Sequence, residues 1–302
     1  MGRGDVADRA RPRLCAAQVM RVATIDLGTN ATRLLVADVD DGVVEEVVRR
    51  TRITRLGEGV DARRRLLPVP IARVRNVLTD YRQEAEALGA ERTLAVATSA
   101  VRDAENGEAF LGEVEWSYGF TTMLLSGDEE AAMTLRGVGP LDEHTLVSDI
   151  GGGSTELITS GFHTSLDLGC VRLTERYGED WDAAAAAIGA QLPSLEISRG
   201  LGVDGTTAEV AAMGEITAAH VDEVLAWLRT ASEAERRERL LEPDRSEVLA
   251  AGVLILRELL RAYGLERIER CERDLLTGAA LEAADLPAPV EGDAPPGAYT
   301  CC

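Results

Sequence analysis

Apolar and polar positions along this chain switch between a period of two and a period near 3.6, and the switching predicts its elements. Val22–Asp26 is a short, mostly apolar, β-rich run ending in Asp26-Leu-Gly28-Thr29-Asn30, and Arg33–Val39 follows as a second run. Strand, glycine turn and strand is the natural reading. Asp40-Asp41-Gly42 then turns the chain into Val43–Val48, completing a three-stranded meander. From Ile71 to Leu88 the apolar positions fall at helical spacing and Gly89 stands where a helix stop belongs. Leu94–Ala97, a helix near Asp103–Gly112, Thr121–Leu125 and a helix from Asp128 to Arg136 continue the alternation. This is an α/β layer.

The opening pattern then returns. Leu146-Val-Ser-Asp149-Ile-Gly151-Gly152-Gly153-Ser154-Thr155-Glu156-Leu-Ile repeats strand, Asp, glycine turn and strand, and Thr164–Leu168 supplies a third strand. Such a repeat implies two similar domains facing one another, each bringing an Asp-Gly turn to a shared cleft. Gly137–His144, rich in turn formers, is the expected boundary, giving domains 21–140 and 141–285. The second half reads as mostly helical: about Ala183–Leu192, Thr206–Met213, Thr217–Arg229 and Glu247–Tyr263, then a strand near Ile268–Cys271 and a helix from Leu275. Residues 1–20 read as a disordered extension, with Met20 an alternative start, and 286–302, rich in Pro and Gly, as a disordered tail.

Composition narrows the function classes. Of 302 residues 45% are hydrophobic and 28% charged, which is globular composition with length for about two domains. The 52 acidic side chains outweigh 32 basic ones, all arginine, for a net charge of −20. That balance argues against nonspecific DNA binding or adhesion to an anionic membrane, though arginines and a divalent cation can still make one cleft locally positive. No apolar stretch reaches the ~20 residues of a membrane span, and the arginine-rich start lacks the apolar core of a secretory signal. Cys15, Cys170, Cys271, Cys301 and Cys302 are odd in number, without zinc spacing or a prenylation box, so a reducing cytoplasm is expected. The histidines, His144, His163 and His220, stand in unpromising settings and support neither a phosphohistidine intermediate nor a Cys/His nucleophile.

Asp149–Glu156 is the most informative segment. Three consecutive glycines after a strand let successive backbone N–H groups point at phosphate oxygens. Ser154 and Thr155 add hydroxyl donors, and Asp149 and Glu156 suit a hard cation such as Mg²⁺. The first copy offers Thr29, Asn30 and Thr32 around Gly28, with Arg33 able to reach a phosphate bidentately. A flexible hairpin for one copy and an Asx-type turn for the other are the plain alternatives, but the pair together suits a phosphate held from both sides. Ala97-Thr-Ser99-Ala-Val-Arg102-Asp lies between a strand end and a helix start, where ligands favour open α/β sheets; an N-cap with a solvated arginine would look the same. Ser126-Gly-Asp-Glu129-Glu130-Ala also opens a helix, and its acids are either ordinary dipole partners or, beside a phosphate cleft, a general base for water.

These motifs resemble the exopolyphosphatase/guanosine pentaphosphate phosphohydrolase (Ppx/GppA) family of the sugar kinase–Hsp70–actin superfamily. The matching segments are Ile25–Asn30, Ala97–Asp103, Ser126–Ala131, Asp149–Glu156 and Asp167-Leu-Gly-Cys-Val-Arg172-Leu, with Gly202–Thr206 and Ala251–Leu256 fitting the later part, in order from about Arg21 to Asp285. The resemblance implies an α/β fold of two actin-like domains, each a mixed β-sheet with flanking helices, around an interdomain cleft. It implies hydrolysis of a terminal phosphoanhydride, of inorganic polyphosphate or else of pppGpp, with Mg²⁺ or Mn²⁺. Glu130 matches the proposed catalytic base; Asp149 and Glu156 match the metal- and water-organising acids, with Asp26 beside them. Gly28, Thr29, Asn30, Arg33, Ser99, Arg102, Gly151–Ser154, Thr155, Gly205 and Thr206 match phosphate- and substrate-binding positions. Two departures bear on affinity: Ala31 replaces a usual serine, and Asp204 stands where a small neutral residue is usual. The chain stops without the long helical extension of larger members, so processive grip on very long polyphosphate is not expected, and a homodimer is the family-based expectation. A kinase of the same superfamily and a non-catalytic polyphosphate- or nucleotide-binding module are the competing functions.

Overall fold

The computed structural model of the protein describes residues 19–287. The expected extension and tail lie outside them, apart from Val19, Met20 and residues 286 and 287; so do Cys15, Cys301 and Cys302. The first half runs β1 (Met20–Leu27), β2 (Ala31–Asp40), β3 (Val43–Ile53), α1 (Val60–Arg63), α2 (Pro68–Ala87), β4 (Arg92–Ala97), α3 (Ser99–Arg102), α4 (Gly107–Tyr118), β5 (Thr121–Leu124) and α5 (Gly127–Val138). Then come β6 (Thr145–Ile150), β7 (Thr155–Ile158), β8 (His163–Leu166), α6 (Cys170–Tyr177), α7 (Trp181–Gln191), β9 (Arg199–Gly202), α8 (Gly205–Met213) and α9 (Ala218–Thr230). α10 (Glu233–Arg239), a 3-10 turn at Pro243–Arg245, α11 (Leu249–Ala262), β10 (Ile268–Arg270) and α12 (Leu275–Asp285) complete the described chain.

The repeat in the sequence is a repeat of topology. One sheet has the order β3-β2-β1-β4-β5 and the other β8-β7-β6-β9-β10, each an antiparallel meander extended by two parallel strands. The first strand of each meander is central, which is why Val22–Leu27 and Thr145–Ile150 are buried along their length, polar residues included. Register places Asp26 opposite Arg33 and Asp149 opposite Glu156. The same site in the repeat therefore carries an ion pair in one sheet and two like charges in the other.

Two helices are exchanged between the sheets. α12 follows β10 yet packs Leu276, Ala279 and Ala283 against Val22, Leu35 and Val96 of the first sheet. α5 precedes β6 yet packs Ala131 on Val147, Ile158 and Leu201 of the second. The two helices also lie against each other, Met133 meeting Gly278 through a backbone approach that leaves no room for a Cβ. The division proposed at 140/141 falls in the turn between α5 and β6.

Several expectations of secondary structure need correction. The helix near Asp103–Gly112 starts only at Gly107, as α4, after a separate one-turn α3, because the Asn106 side chain bonds the backbone N–H and C=O of Leu66 and holds 103–106 as a linker. β9 was not foreseen: Gly200 and Gly202 deplete its apolar signal, and both are needed because a Cβ would strike Ile268 and Thr207. α10 was missed because it is polar all round, started by the capping box of Ser232 and Glu235. Among the described residues no helix is long and apolar enough to cross a membrane.

Candidate active site

The two Asp-glycine turns meet. Gly28 N–H bonds Ala31 O at 3.1 Å and Gly151 N–H bonds Ser154 O at 2.9 Å, so both turns close in the same way. They are in van der Waals contact, since a Cβ on Gly152 would lie 2.8 Å from Thr29 Cβ and one on Gly153 only 2.3 Å from Ser99 Oγ. Between them a cleft is lined by Asp26, Gly28, Thr29, Asn30, Arg33, Ser99, Glu130, Asp149, Gly151–Ser154 and Gly205 among the expected residues.

The glycine loop is oriented by the helix that follows it. Cys170, Val171 and Arg172 N–H groups donate to Gly151 O and Gly152 O, and Arg172 Nε donates to Gly153 O at 2.6 Å. With the carbonyls occupied, the N–H groups of Gly152, Gly153 and Ser154 are left without a protein acceptor among the described residues. Successive free N–H groups form an anion-binding concavity. Gly169 makes the close approach possible, because a Cβ there would lie 2.3 Å from the Gly152 carbonyl. Gly169→Ala is accordingly expected to push the loop off α6, costing about 1–3 kcal/mol of stability and raising KM for any phosphate substrate. Thermal melts and steady-state kinetics on the same preparation check both effects.

Asp26, Glu130, Asp149 and Asp204 line this cleft as buried carboxyls, and the expected Glu156, also buried, stands opposite Asp149 in the sheet without lining it. Glu130, 6% exposed, is held by Arg102 Nη1 at 3.2 Å, while its neighbour Glu129 is exposed and closes a capping box with Ser126. Burial pushes Glu130 well above the ordinary carboxyl value, repulsion from Glu156 adds to it, and Arg102 partly offsets both. Burial likewise raises Asp149, against relief from Arg33 and with further repulsion from Glu156. Glu156 is raised by burial and steadied by hydroxyls of Ser165, at 2.7 Å, and Ser154. Asp26 is also raised by burial; its Oδ2 pairs with Arg33 and its Oδ1 has no partner.

Several expected residues are engaged elsewhere. Thr155 turns its hydroxyl to the Leu168 carbonyl, and Thr206 packs against Gly252 of α11, so neither lines the cleft. Arg102, expected at the substrate, does not line the cleft and donates from Nη1 to Glu130 and the Leu125 carbonyl. Arg33 lines the cleft with its fork on Asp26 and Asp274. The departure at Asp204 is explained: the carboxylate is the N-cap of α8, accepting from Thr207 N and Oγ1 at 2.8 and 2.7 Å.

Arg245 was not foreseen. It lines the cleft, is 9% exposed, and lays its guanidinium against Gly205, where a Cβ would be 2.2 Å from Nη2. Among the described residues it has no carboxylate within 4.0 Å, which makes it a buried cation with its donors free. Sequence distance from either glycine turn and a polar, linker-like setting hid it. Cys170 also faces the cleft, with its thiol pushed up to about 11 by burial, so it is protonated and unreactive at neutral pH.

Among the described residues no three His, Cys, Asp or Glu side chains gather into a group that could hold a metal ion. Asp26 Oδ1, buried without a partner, and the crowded Asp149 carboxyl nonetheless fit a hard cation that takes few protein ligands and completes its shell with water and phosphate oxygens.

Comparison with known proteins agrees with this architecture. The model of the Ppx/GppA phosphatase family matches residues 35–190. Exopolyphosphatase 2 of Mycobacterium tuberculosis is 33% identical over 87% of this chain and 98% of its own. The chain belongs to the Ppx/GppA phosphatase family. A second Ppx/GppA relative, the guanosine-5'-triphosphate,3'-diphosphate pyrophosphatase of Vibrio vulnificus, is 33% identical over 86% of this chain but only 57% of its own. Among solved structures, the Aquifex aeolicus Ppx/GppA protein superposes with a TM-score of 0.70 at 25% identity, covering 88% of this chain and 98% of its own. An exopolyphosphatase-like protein superposes at 0.79 and 28% identity, covering 87% and 97%. The two paired sheets are the fold of the Ppx/GppA family, as the sequence motifs implied.

Proposed function

We propose that the protein hydrolyses the terminal phosphoanhydride of inorganic polyphosphate and releases orthophosphate. The observation that carries this reading is Glu130: a buried carboxyl, paired with Arg102, in the wall of a cleft that also presents free backbone N–H groups, hydroxyls, arginines and the carboxyls of Asp26 and Asp149. A chain-end phosphate would be gripped by the N–H groups of Gly152, Gly153 and Ser154 on one side and by Asn30 and Thr29 on the other. Both polar atoms of the Asn30 amide are buried without partners, and its Nδ2 can donate to a phosphate oxygen. Arg245 would contact the chain's phosphate oxygens with its free fork. Glu130 would take the proton of the attacking water, and its raised affinity for protons suits a general base working near neutrality. A divalent cation held by Asp26 and Asp149, when bound, neutralises phosphate charge, as positioning and electrostatics dominate phosphoryl transfer.

The residues lining the cleft include no aromatic ring on which a nucleobase could stack, and the relative matched along nearly its whole length is named an exopolyphosphatase. Both support polyphosphate. The pyrophosphatase relative keeps pppGpp as the second reading. Catalytic efficiency on tripolyphosphate, long polyphosphate and pppGpp decides between them, and a clear preference for pppGpp reverses the ranking. Phosphate release without any acceptor separates hydrolysis from a kinase using ATP; tight binding with no release over hours leaves a sensing module.

The acid limb of the rate gives a further check. The Glu130–Glu156 pair titrates above ordinary carboxyls, so kcat/KM falls as pH drops through those raised values. Arg102 lowers Glu130, and Arg102→Gln should therefore move the limb to higher pH. A limb unmoved in this variant would detach Glu130 from the proton transfer.

A further inference from the structure

Arg245 works only if a long, flexible side chain is held over the cleft, and the structure shows what holds it. Helix α8 begins at Gly205 and carries Glu209 one turn further on, where it is 1% exposed. The two carboxylate oxygens of Glu209 accept the N–H groups of Leu241 and Glu242, each at 2.9 Å. Pro243 follows at once, with its φ fixed by the ring, and Arg245 is the third residue beyond the bond at Glu242, its own N–H returning to Glu242 O at 2.9 Å. The guanidinium then lies back over Gly205, at the head of the same helix. α8 thus touches the Arg245 segment at two points a helical turn apart: a carboxylate under 241–242 and a bare Cα under the guanidinium.

We propose that Glu209 is a positioning residue that sets Arg245 for the substrate's phosphate chain. The inference rests on the reading of Arg245 as a phosphate contact. A buried carboxylate carries a desolvation cost, and its two oxygens fit two adjacent orphan N–H donors in a way a neutral amide, with one acceptor oxygen, does not. The same segment is also reached from the first half by Arg55, 3.4 Å from Asp244 O and 3.1 Å from Glu247, but those groups are solvent-exposed and screened. The buried anchor is Glu209.

The test is steady-state kinetics of the full chain on tripolyphosphate, with Glu209→Ala and Glu209→Gln each made in the parent and in Arg245→Gln. Glu209→Ala in the parent should raise KM about tenfold or more with kcat within about threefold, and Glu209→Gln should lie between it and the parent. In the Arg245→Gln background the same changes should move KM by less than about twofold, because the residue they act through is gone. A merely structural role would instead remove folded enzyme, lowering apparent kcat while leaving KM unchanged, and that result overturns the proposal. Equal KM effects in both backgrounds overturn it too. If Arg245→Gln alone leaves KM unchanged, the phosphate-contact reading fails and takes this inference with it. If Arg245→Gln raises KM and Glu209→Ala does not, the inference fails by itself. Should Glu209→Ala not fold, the near-isosteric Glu209→Gln carries the same comparison.

Discussion

Glu130→Gln is expected to lower kcat on polyphosphate by about 10²–10⁴ while leaving affinity nearly unchanged. Glutamine keeps the size of the side chain and its contact with Arg102 but cannot accept a proton. Removing one negative charge near a polyanion should, if anything, tighten binding. Glu129→Gln is the matched control, since Glu129 is exposed and its carboxylate serves Ser126 N and Oγ at 2.8 Å each. Hydrogen bonds from Ser126 hold Glu129 below the ordinary carboxyl range, the opposite displacement to that of Glu130. Glutamine can preserve the capping box, so turnover should survive. A parent-like Glu130→Gln beside an inactive Glu129→Gln would exchange the two roles and sink this assignment.

Asp149→Asn should weaken substrate binding together with the dependence on divalent cation, and stabilise the ligand-free fold at neutral pH. Burial raises the Asp149 carboxyl, Arg33 partly relieves it, and Glu156 and Asp204 raise it again. A carboxyl whose folded value lies above its unfolded value near 3.8 is bound to its proton more tightly in the fold. Its stabilising contribution is therefore present below the unfolded value and is lost as pH rises through the raised folded one. At pH 7, above the unfolded value, this preference for the proton opposes folding, and asparagine removes the ionisable group. Each kcal/mol so relieved raises Tm by about 2–4 °C, and the difference between variant and parent should shrink as pH falls below the unfolded value. In kinetics the same substitution should weaken substrate binding and the dependence on divalent cation together, unlike Glu130→Gln. A variant that melts below the parent at pH 7 would show that Asp149 is satisfied in the folded state.

The distinction between Glu129 and Glu130 shows where reading along the chain stops. Both are acidic residues in the first turn of a helix, and motif position alone separated them. The structure separates them physically, one solvated in a capping box, the other buried beside Arg102. Arg33 lines the cleft and Arg102 stands behind Glu130, and what each guanidinium bonds depends on Asp274 and Leu125, which no local pattern links to them. Thr155 and Thr206 belong to legible motifs and yet face away: in β7 alternate side chains point to opposite faces and register decides which, and Thr206, in the first turn of α8, packs against Gly252 of α11.

What the sequence by itself determined is local: strand, Asp, glycine turn and strand, written twice, each readable because turn chemistry and hydrophobic period act over a few neighbouring residues. From that duplication came the paired sheets and the meeting of Asp26 with Asp149 in one cleft. Tertiary structure alone decided which sheet α5 and α12 cover, that the glycine-rich segment 199–202 pairs as β9, and which arginine keeps its donors free. Arg245 and Glu209 belong to that class. Their placement depends on a buried carboxylate finding two N–H groups more than thirty residues along the chain, an interaction set by desolvation and packing rather than by any period in the sequence.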